Sequence, residues 1–428
     1  MGSGQFSKPV KTRWAYLAEE VIFRCRRLAA FSEDSGGLRR TFLSPPMREV
    51  HREIARWLEP LGAIVRIDAA GNFRATYAAN TISAPRLLLG SHLDTVPNAG
   101  CFDGILGVVL ALAICEALAS RRLPYAIEIV GFSEEEGVRF GVPFIGSRAL
   151  VERLDDDLLN LQDARGISVR KAIQDFGLDP GKMANAALST DACAYLEFHI
   201  EQGPVLESLG LPLAVVEAIA GQTRSELAFL GRANHAGTTP MHLRFDAVAA
   251  AAEWISRVER IARQTPGLVA TVGSVETKPG ATNVIAGEAR VSLDVRHPDN
   301  AVRVRAAERM FLEAAQIANR RGLKVSQTQG LEQPTVAMDP FLSEQLEESI
   351  SKVGCQPHRM VSGAGHDAMI LAEKIPSAMI FLRTPGGISH DRAESVAVED
   401  VAKAIECGLH FLDQMASSPN FLSRTCRA

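Results

Sequence analysis

The stretch Gly90-Ser91-His92-Leu93-Asp94-Thr95-Val96-Pro97-Asn98-Ala99-Gly100-Cys101-Phe102-Asp103-Gly104-Ile105-Leu106-Gly107 constrains the fold of this chain more than any other. The apolar run Leu87-Leu88-Leu89 before it reads as a buried strand. The segment after it, Ile105 to Leu118, is too long for a strand and predicts a buried helix. An imidazole, two carboxylates and four glycines therefore sit on a strand-to-helix loop. In an open α/β sheet, ligands bind in that place, beyond the carboxyl ends of the strands. Imidazole with carboxylate is a donor set for zinc, manganese or cobalt. Taken alone, such a loop is more often a polar turn than a metal site, and the rest of the chain has to supply the missing ligands.

The remaining sequence predicts two kinds of pattern. Trp14–Phe31 carries apolar residues at helical spacing, and a second helix starts near Pro46 and ends around Gly62. Ala63–Tyr77 reads as a hairpin turning at Ala69–Asn72. A strand at Tyr125–Val130 leads into Ser133-Glu134-Glu135-Glu136-Gly137, and one at Tyr195–Phe198 into His199-Ile200-Glu201-Gln202-Gly203. From about Leu211 the pattern changes. Leu213–Ala220 and Ser225–Leu230 alternate like paired strands, followed by a helix at Phe245–Arg263 and strands at Leu268–Val275 and Ala289–Val295. A helix at Asn300–Arg321 and a strand at Leu323–Ser326 complete a ββαββαβ order, a small α+β domain of ferredoxin-like kind. The first pattern then returns with a helix at Phe341–Val353, a strand at Ser377–Leu382 and a helix at Glu399–Met415. The expected fold class is α/β: a catalytic domain of residues 1–210 and 330–428, interrupted by a smaller α+β domain of residues 211–329.

Four strand-end loops now offer metal-type donors: His92/Asp94/Asp103, Glu134/Glu135/Glu136, His199/Glu201 and His390. Three imidazoles, a bridging carboxylate and one more carboxylate suit two ions about 3.5–4 Å apart. The glutamate run follows a near-continuous apolar strand rather than a solvated face. That placement favours one carboxylate on metal and another free to move a proton. His51 and His410 on helices, and His297, His358 and His242 in or near turns, read as packing or surface residues.

Composition excludes several classes. The 428 residues exceed the usual single core, so two domains are expected. A net charge of −4 without a basic stripe argues against a nucleic-acid partner. The seven cysteines, Cys426 among them, are scattered and never form CxxC, which fits a reducing compartment and no zinc finger. The start, Met1–Gln5, lacks a basic region followed by an apolar core, and Ile105–Leu118 is short for a span and contains Glu116. A soluble, cytoplasmic protein with no membrane partner is expected.

The ordered set of motifs resembles the amidase, hydantoinase and carbamoylase branch of the di-metal M20 peptidase superfamily. The matching pieces are Gly90–Thr95 with Phe102-Asp103-Gly104, Glu135–Phe140, Gly146-Ser147-Arg148 and His199–Pro204. Ala233–Met241, Asn283-Val284-Ile285, Asp294-Val295-Arg296, Gly363–Ala368 and Gly387–His390 follow in order. That branch contains N-carbamoyl-L-amino acid hydrolases, β-ureidopropionases and allantoate amidohydrolases.

The resemblance implies two divalent ions per subunit: zinc, manganese, cobalt or nickel. His92, Glu136, His199 and His390 would be ligands, Asp103 would bridge, Glu135 would be the general base and Asp94 would orient His92. The inserted domain would be a dimerisation lid carrying His235, which polarises the scissile carbonyl, typically in the partner subunit of a homodimer. Asn283 and Arg296 would hold the substrate's carboxylate, with Gln202, Gly365 and His366 as further pocket candidates. For His366-Asp367 a loop-fixing role is the alternative, and for Arg296 an ordinary salt bridge. The implied substrate is a small N-carbamoyl or ureido acid, cleaved to ammonia and carbon dioxide. Allantoate hydrolysis is the near alternative, and an exopeptidase or aminoacylase of the same superfamily the further one. Two departures stand out: Ala99-Gly100 replaces the usual Gly-Gly, and Arg383-Thr384-Pro385-Gly386 replaces a stretch commonly ending in serine. The second implies a reshaped pocket near His390.

Overall fold

The computed structural model describes residues 12–81 and 83–423. Met1–Gln5 and Cys426, which entered the reading of compartment, lie outside them. The chain divides into two compact units, the first formed by residues up to 217, 338–360 and from 366 onward, the second by 218–337 and 361–365.

The first unit is built on a mixed sheet. Its main strands are β1 (Ile64–Ile67), β2 (Phe73–Tyr77), β3 (Arg86–His92), β4 (Ala126–Phe132), β5 (Ala192–Ile200), β6 (Leu213–Ile219) and β7 (Ser377–Leu382), and two short ones, Val336–Ala337 and Arg359–Ser362, pair with β6. In space the main strands run β6-β7-β5-β3-β4-β2-β1. The central four, β7, β5, β3 and β4, are parallel; β6 and β2 run antiparallel to them, and β1 pairs antiparallel with β2 as the outer strand of a hairpin. A sheet covered on both faces needs near-continuous apolar strands, and every residue of β4, β5 and β7 is buried.

The helices follow from their sequences. Helix α1 (Arg13–Ala29) opens on Thr12, whose hydroxyl accepts the Ala15 N–H, and buries Ala18, Val21, Ile22, Cys25 and Leu28 on one face. Helix α2 (Pro45–Leu58) starts with proline in its first turn, where no N–H is needed. Helix α3 (Ile105–Ala117) is buried all round, as a helix apolar on every side must be. Its one charged residue, Glu116, pairs with Arg24 of α1 at 3.0 Å.

The second unit has an antiparallel sheet ordered Val269–Thr271, Glu288–His297, Gly221–Leu230, Lys324–Gln333, with Val275–Lys278 also paired to Glu288–His297. The strict burial alternation along Glu288–His297 leaves one face for helices Ala247–Gln264 and Asn300–Arg320. Trp254 anchors that core, its indole N–H donating to the Met310 carbonyl at 2.8 Å.

One pairing departs from expectation. Leu213–Ile219 does not pair with the strand after it; it joins the large sheet beside β7, with Met379 opposite Val216. Its near-continuous burial is the mark of that sheet, and periodicity alone does not choose between two sheets. The single strand expected at Leu268–Val275 is two short strands, and the one at Leu323–Ser326 extends to Gln333.

Candidate metal centre

Four parallel strand ends build the site. His92 is the last residue of β3 and His199 the penultimate residue of the neighbouring β5. Their rings emerge side by side, centroids 5.6 Å apart. Asp103 reaches in from the loop before α3: its Oδ1 lies 3.3 Å from His199 Nε2 and 3.7 Å from His92 Nε2, and the two Nε2 atoms are 3.4 Å apart. His92 Nδ1 faces the Asp94 carbonyl oxygen at 3.0 Å, and His199 Nδ1 that of Ile200 at 2.9 Å. A carbonyl oxygen only accepts, so these partners place the hydrogen on each Nδ1 and leave a lone pair on each Nε2. Three lone-pair atoms facing one another repel unless a cation lies among them. Ligands about 2.0–2.2 Å from a tetrahedral ion stand about 3.3–3.6 Å from each other, close to the spacing found here. The donor set fits a metal.

A second group shares the same carboxylate. Asp103 Oδ2 is 3.1 Å from His390 Nε2, which is 3.7 Å from Glu136 Oε1. One carboxylate thus faces a different donor group through each oxygen, as a bridging ligand does between two ions. His92, Glu135 and Glu136 form a further close group beside it, whereas Glu134 stands in no such group among the described residues.

The electrostatics call for positive charge. Burial opposes a charged His92, yet Asp103 and Asp94 beside it hold its pKa well above the usual value. Burial takes His199 down to about 4. Burial works to raise Asp103, but His390 and His92 beside it hold it well below the carboxylate range. Burial pushes Glu136 up to about 7 and Glu135 well above its ordinary value, with neighbouring carboxylates adding to both. A cluster of buried carboxylates is relieved by bound cations.

Main-chain contacts fix this geometry. The Asp94 carboxylate accepts the N–H groups of Glu135 at 2.9 Å and Glu136 at 3.1 Å, tying the end of β4 to that of β3. Gln202, at φ 59, donates its backbone N–H to Thr384 Oγ1 at 3.2 Å. Its Nε2 stands 3.2 and 3.1 Å from the two Asp103 oxygens and 3.3 Å from Ser389 Oγ. Arg383 forms a fork onto the buried Asp400 at 2.8 and 2.9 Å. The unusual Arg383-Thr384 pair thus anchors the loop behind Gln202. His366 is buried edge-to-face against His199, centroids 4.5 Å apart, so it backs that imidazole, and Gly365 directly precedes it in the chain.

His235, Asn283 and Arg296 belong to the second unit. The short strand Asn234–His235 pairs with Val284–Ile285, and the Ala236 N–H donates to the Asn283 carbonyl at 3.0 Å. The exposed His235 accepts the N–H groups of Gly237 and Thr238 on Nδ1 at 3.0 and 3.2 Å, which places its hydrogen on Nε2 as a donor. Arg296 grips Asp294 with two nitrogens at 2.9 and 2.8 Å and donates to the Gly363 carbonyl at 2.5 Å, so three of its N–H groups are engaged. Of the histidines read as packing residues, His51 is buried between Phe73 and Phe176, and His297 hydrogen-bonds to Pro266 and Asp299. Glu394 and Glu197 are buried polar residues at the centre that no motif marks; their partners are fixed only by the fold.

Comparison with known proteins agrees with this geometry. Residues 88–414 match the model of peptidase family M20/M25/M40. The chain is 37% identical over 387 residues to an N-carbamoyl-L-amino acid amidohydrolase of Geobacillus stearothermophilus, covering 90% of this chain and 95% of that one. It is 34% identical over 434 residues to allantoate deiminase 2 of Glycine max, covering 94% and 90%. Among solved structures it is similar to a hydantoinase/carbamoylase family amidase from Burkholderia multivorans, with TM-score 0.88, 30% identity and coverage of 94% and 98%.

Proposed function

The chain belongs to peptidase family M20/M25/M40, and from that premise we propose that it hydrolyses a C–N bond of a small N-carbamoyl or ureido acid, releasing ammonia and carbon dioxide, with an N-carbamoyl-L-amino acid as the first substrate class. It is an amidohydrolase acting on linear amides other than peptides. The observation that carries the reading is Asp103, each of whose oxygens faces its own group of donors beside Glu135.

His92, His199 and Asp103 would hold one divalent ion, and Asp103, Glu136 and His390 the other; zinc, manganese, cobalt and nickel all suit these donors. Two such ions, when bound, supply Lewis acidity toward a carbonyl oxygen and lower the pKa of a water. Glu135 takes the proton of the attacking water and returns it to the departing nitrogen. Its buried setting raises its proton affinity, which suits a group that must hold a proton between those two transfers. His235, with Nε2–H as donor, stabilises the developing oxyanion. Arg296 has N–H groups beyond the three engaged, and with Asn283 it takes the substrate carboxylate. Gln202, Gly365 and His366 line the pocket. The second unit acts as a dimerisation lid, the enzyme is a cytoplasmic homodimer, and His235 serves the partner's site.

Allantoate is the second reading, favoured by the allantoate deiminase relative that matches 94% of the chain. The deciding experiment measures ammonia release by manganese-loaded protein from an N-carbamoyl-L-amino acid, N-carbamoyl-β-alanine and allantoate. Turnover of the first, abolished by a chelator and by Glu135→Gln, is the expected result. Turnover of allantoate alone selects the second reading. Silence on all three, with metal bound, overturns the carbamoyl assignment.

A further inference from the structure

Asp103 and His390 lie 287 residues apart in sequence, as their numbers give, and neither sits on a strand that would fix its place. His92 and His199 differ in this respect, since the ladder between β3 and β5 sets their separation. The second donor group therefore needs a tie between two loops, and Glu394 makes it. Its carboxylate is buried, with 5% exposure. Oε1 accepts the backbone N–H groups of Phe102 at 2.8 Å and Asp103 at 3.0 Å, and Oε2 faces the Ser389 hydroxyl at 3.4 Å. A side chain at position 100 would collide with this carboxylate, so Gly100 is the close approach that admits it. Arg392 adds a second stitch, donating to Asn98 Oδ1 at 2.7 Å.

Resting on the two-ion reading above, we propose that Glu394 is a positioning residue: it sets the spacing between Asp103 and His390, and so builds the second metal position selectively while leaving the first to the sheet. It touches no donor atom of either group directly; it acts through the main chain of Asp103 and the hydroxyl beside His390.

The test is calorimetric titration of the metal-free full-length protein with cobalt(II), read as the number of ions and their separate affinities. The wild type is expected to take two ions per chain. Glu394→Ala is expected to weaken the second by about tenfold or more, within the range typical of residues that orient ligands, and to leave the first within about twofold. Glu394→Gln keeps a carbonyl oxygen for the two N–H groups and is expected to retain both ions. If Glu394→Ala does not fold, Gly100→Ala, which displaces the carboxylate without removing it, is expected to give the same selective loss. Equal weakening of both ions or unchanged binding in Glu394→Ala or in Gly100→Ala, or a Glu394→Gln as impaired as Glu394→Ala, overturns the proposal. A wild type that takes only one ion instead overturns the two-ion reading itself, and the strut with it.

Discussion

Asp94 gives both carboxylate oxygens to main-chain amides, those of Glu135 and Glu136, while its carbonyl takes the Nδ1 hydrogen of His92. An asparagine there can accept with one oxygen only, and its NH2 would face the other N–H donor to donor. Asp94→Asn is therefore expected to lower kcat by about 10–100-fold, the usual loss when a residue supporting metal ligands is changed, with little change in KM. Steady-state kinetics together with ion content decide it; a wild-type kcat would mean that Glu135 needs no such support. His51 shows the opposite use of a buried imidazole, as packing. Burial, with the charges of Arg40 and Arg48, pushes its pKa down to about 3. The unfolded chain, with His near 6.5, takes up the proton first as pH falls. Stability from this group is present above about pH 6.5 and is lost toward pH 3, about 2 kcal/mol of it by pH 5. Urea unfolding at about pH 7.5 and about pH 5 should show that much less pH dependence in His51→Leu than in the wild type. An equal slope in both would remove His51 from the account.

The junction between β3 and α3 concentrates the design at the scale of elements. Gly104 stands before α3 at φ 67, and a Cβ there would collide with the His92 ring. Gly104→Ala should cost about 1–2 kcal/mol for the left-handed backbone alone, and more as His92 is displaced. Thermal melts with and without manganese test both parts. The expected result is a lower melting temperature together with a smaller stabilisation by metal; an unchanged pair of melts would refute it. This junction was also the most legible part of the sequence, because the Leu87–Leu89 run, the glycines and the all-apolar helix each agree with the fold. The strand at Leu213–Ile219 was legible as a strand but not as a member of the large sheet, since a period of two residues says nothing about which neighbour a strand pairs with. Glu394 was not legible at all. It lies 292 residues from the amide of Phe102 that it accepts, and such a contact has no local signal.

For the whole molecule, the proposed function assigns residues of both units to one reaction, and on that proposal assembly would be part of the mechanism. Glu135 lies in the first unit and His235 in the second. In a symmetric dimer each interface contact occurs twice, so a residue acting across it serves the other chain's site. Two inactive variants, Glu135→Gln and His235→Ala, then make a discriminating pair. Let them be refolded together or co-expressed in equal amounts. Half of the dimers are mixed, and if His235 acts across the interface, a mixed dimer has one site with both lesions and one with neither. Activity should then return to roughly a quarter of the wild type. If His235 serves its own chain, every site in a mixed dimer keeps one lesion, and mixing restores nothing. Light scattering on the same samples separates that outcome from a failure to form dimers: a monomer of 46.2 kDa would refute the homodimer directly. A dimer without recovered activity would keep the assembly and move His235 to its own chain's site.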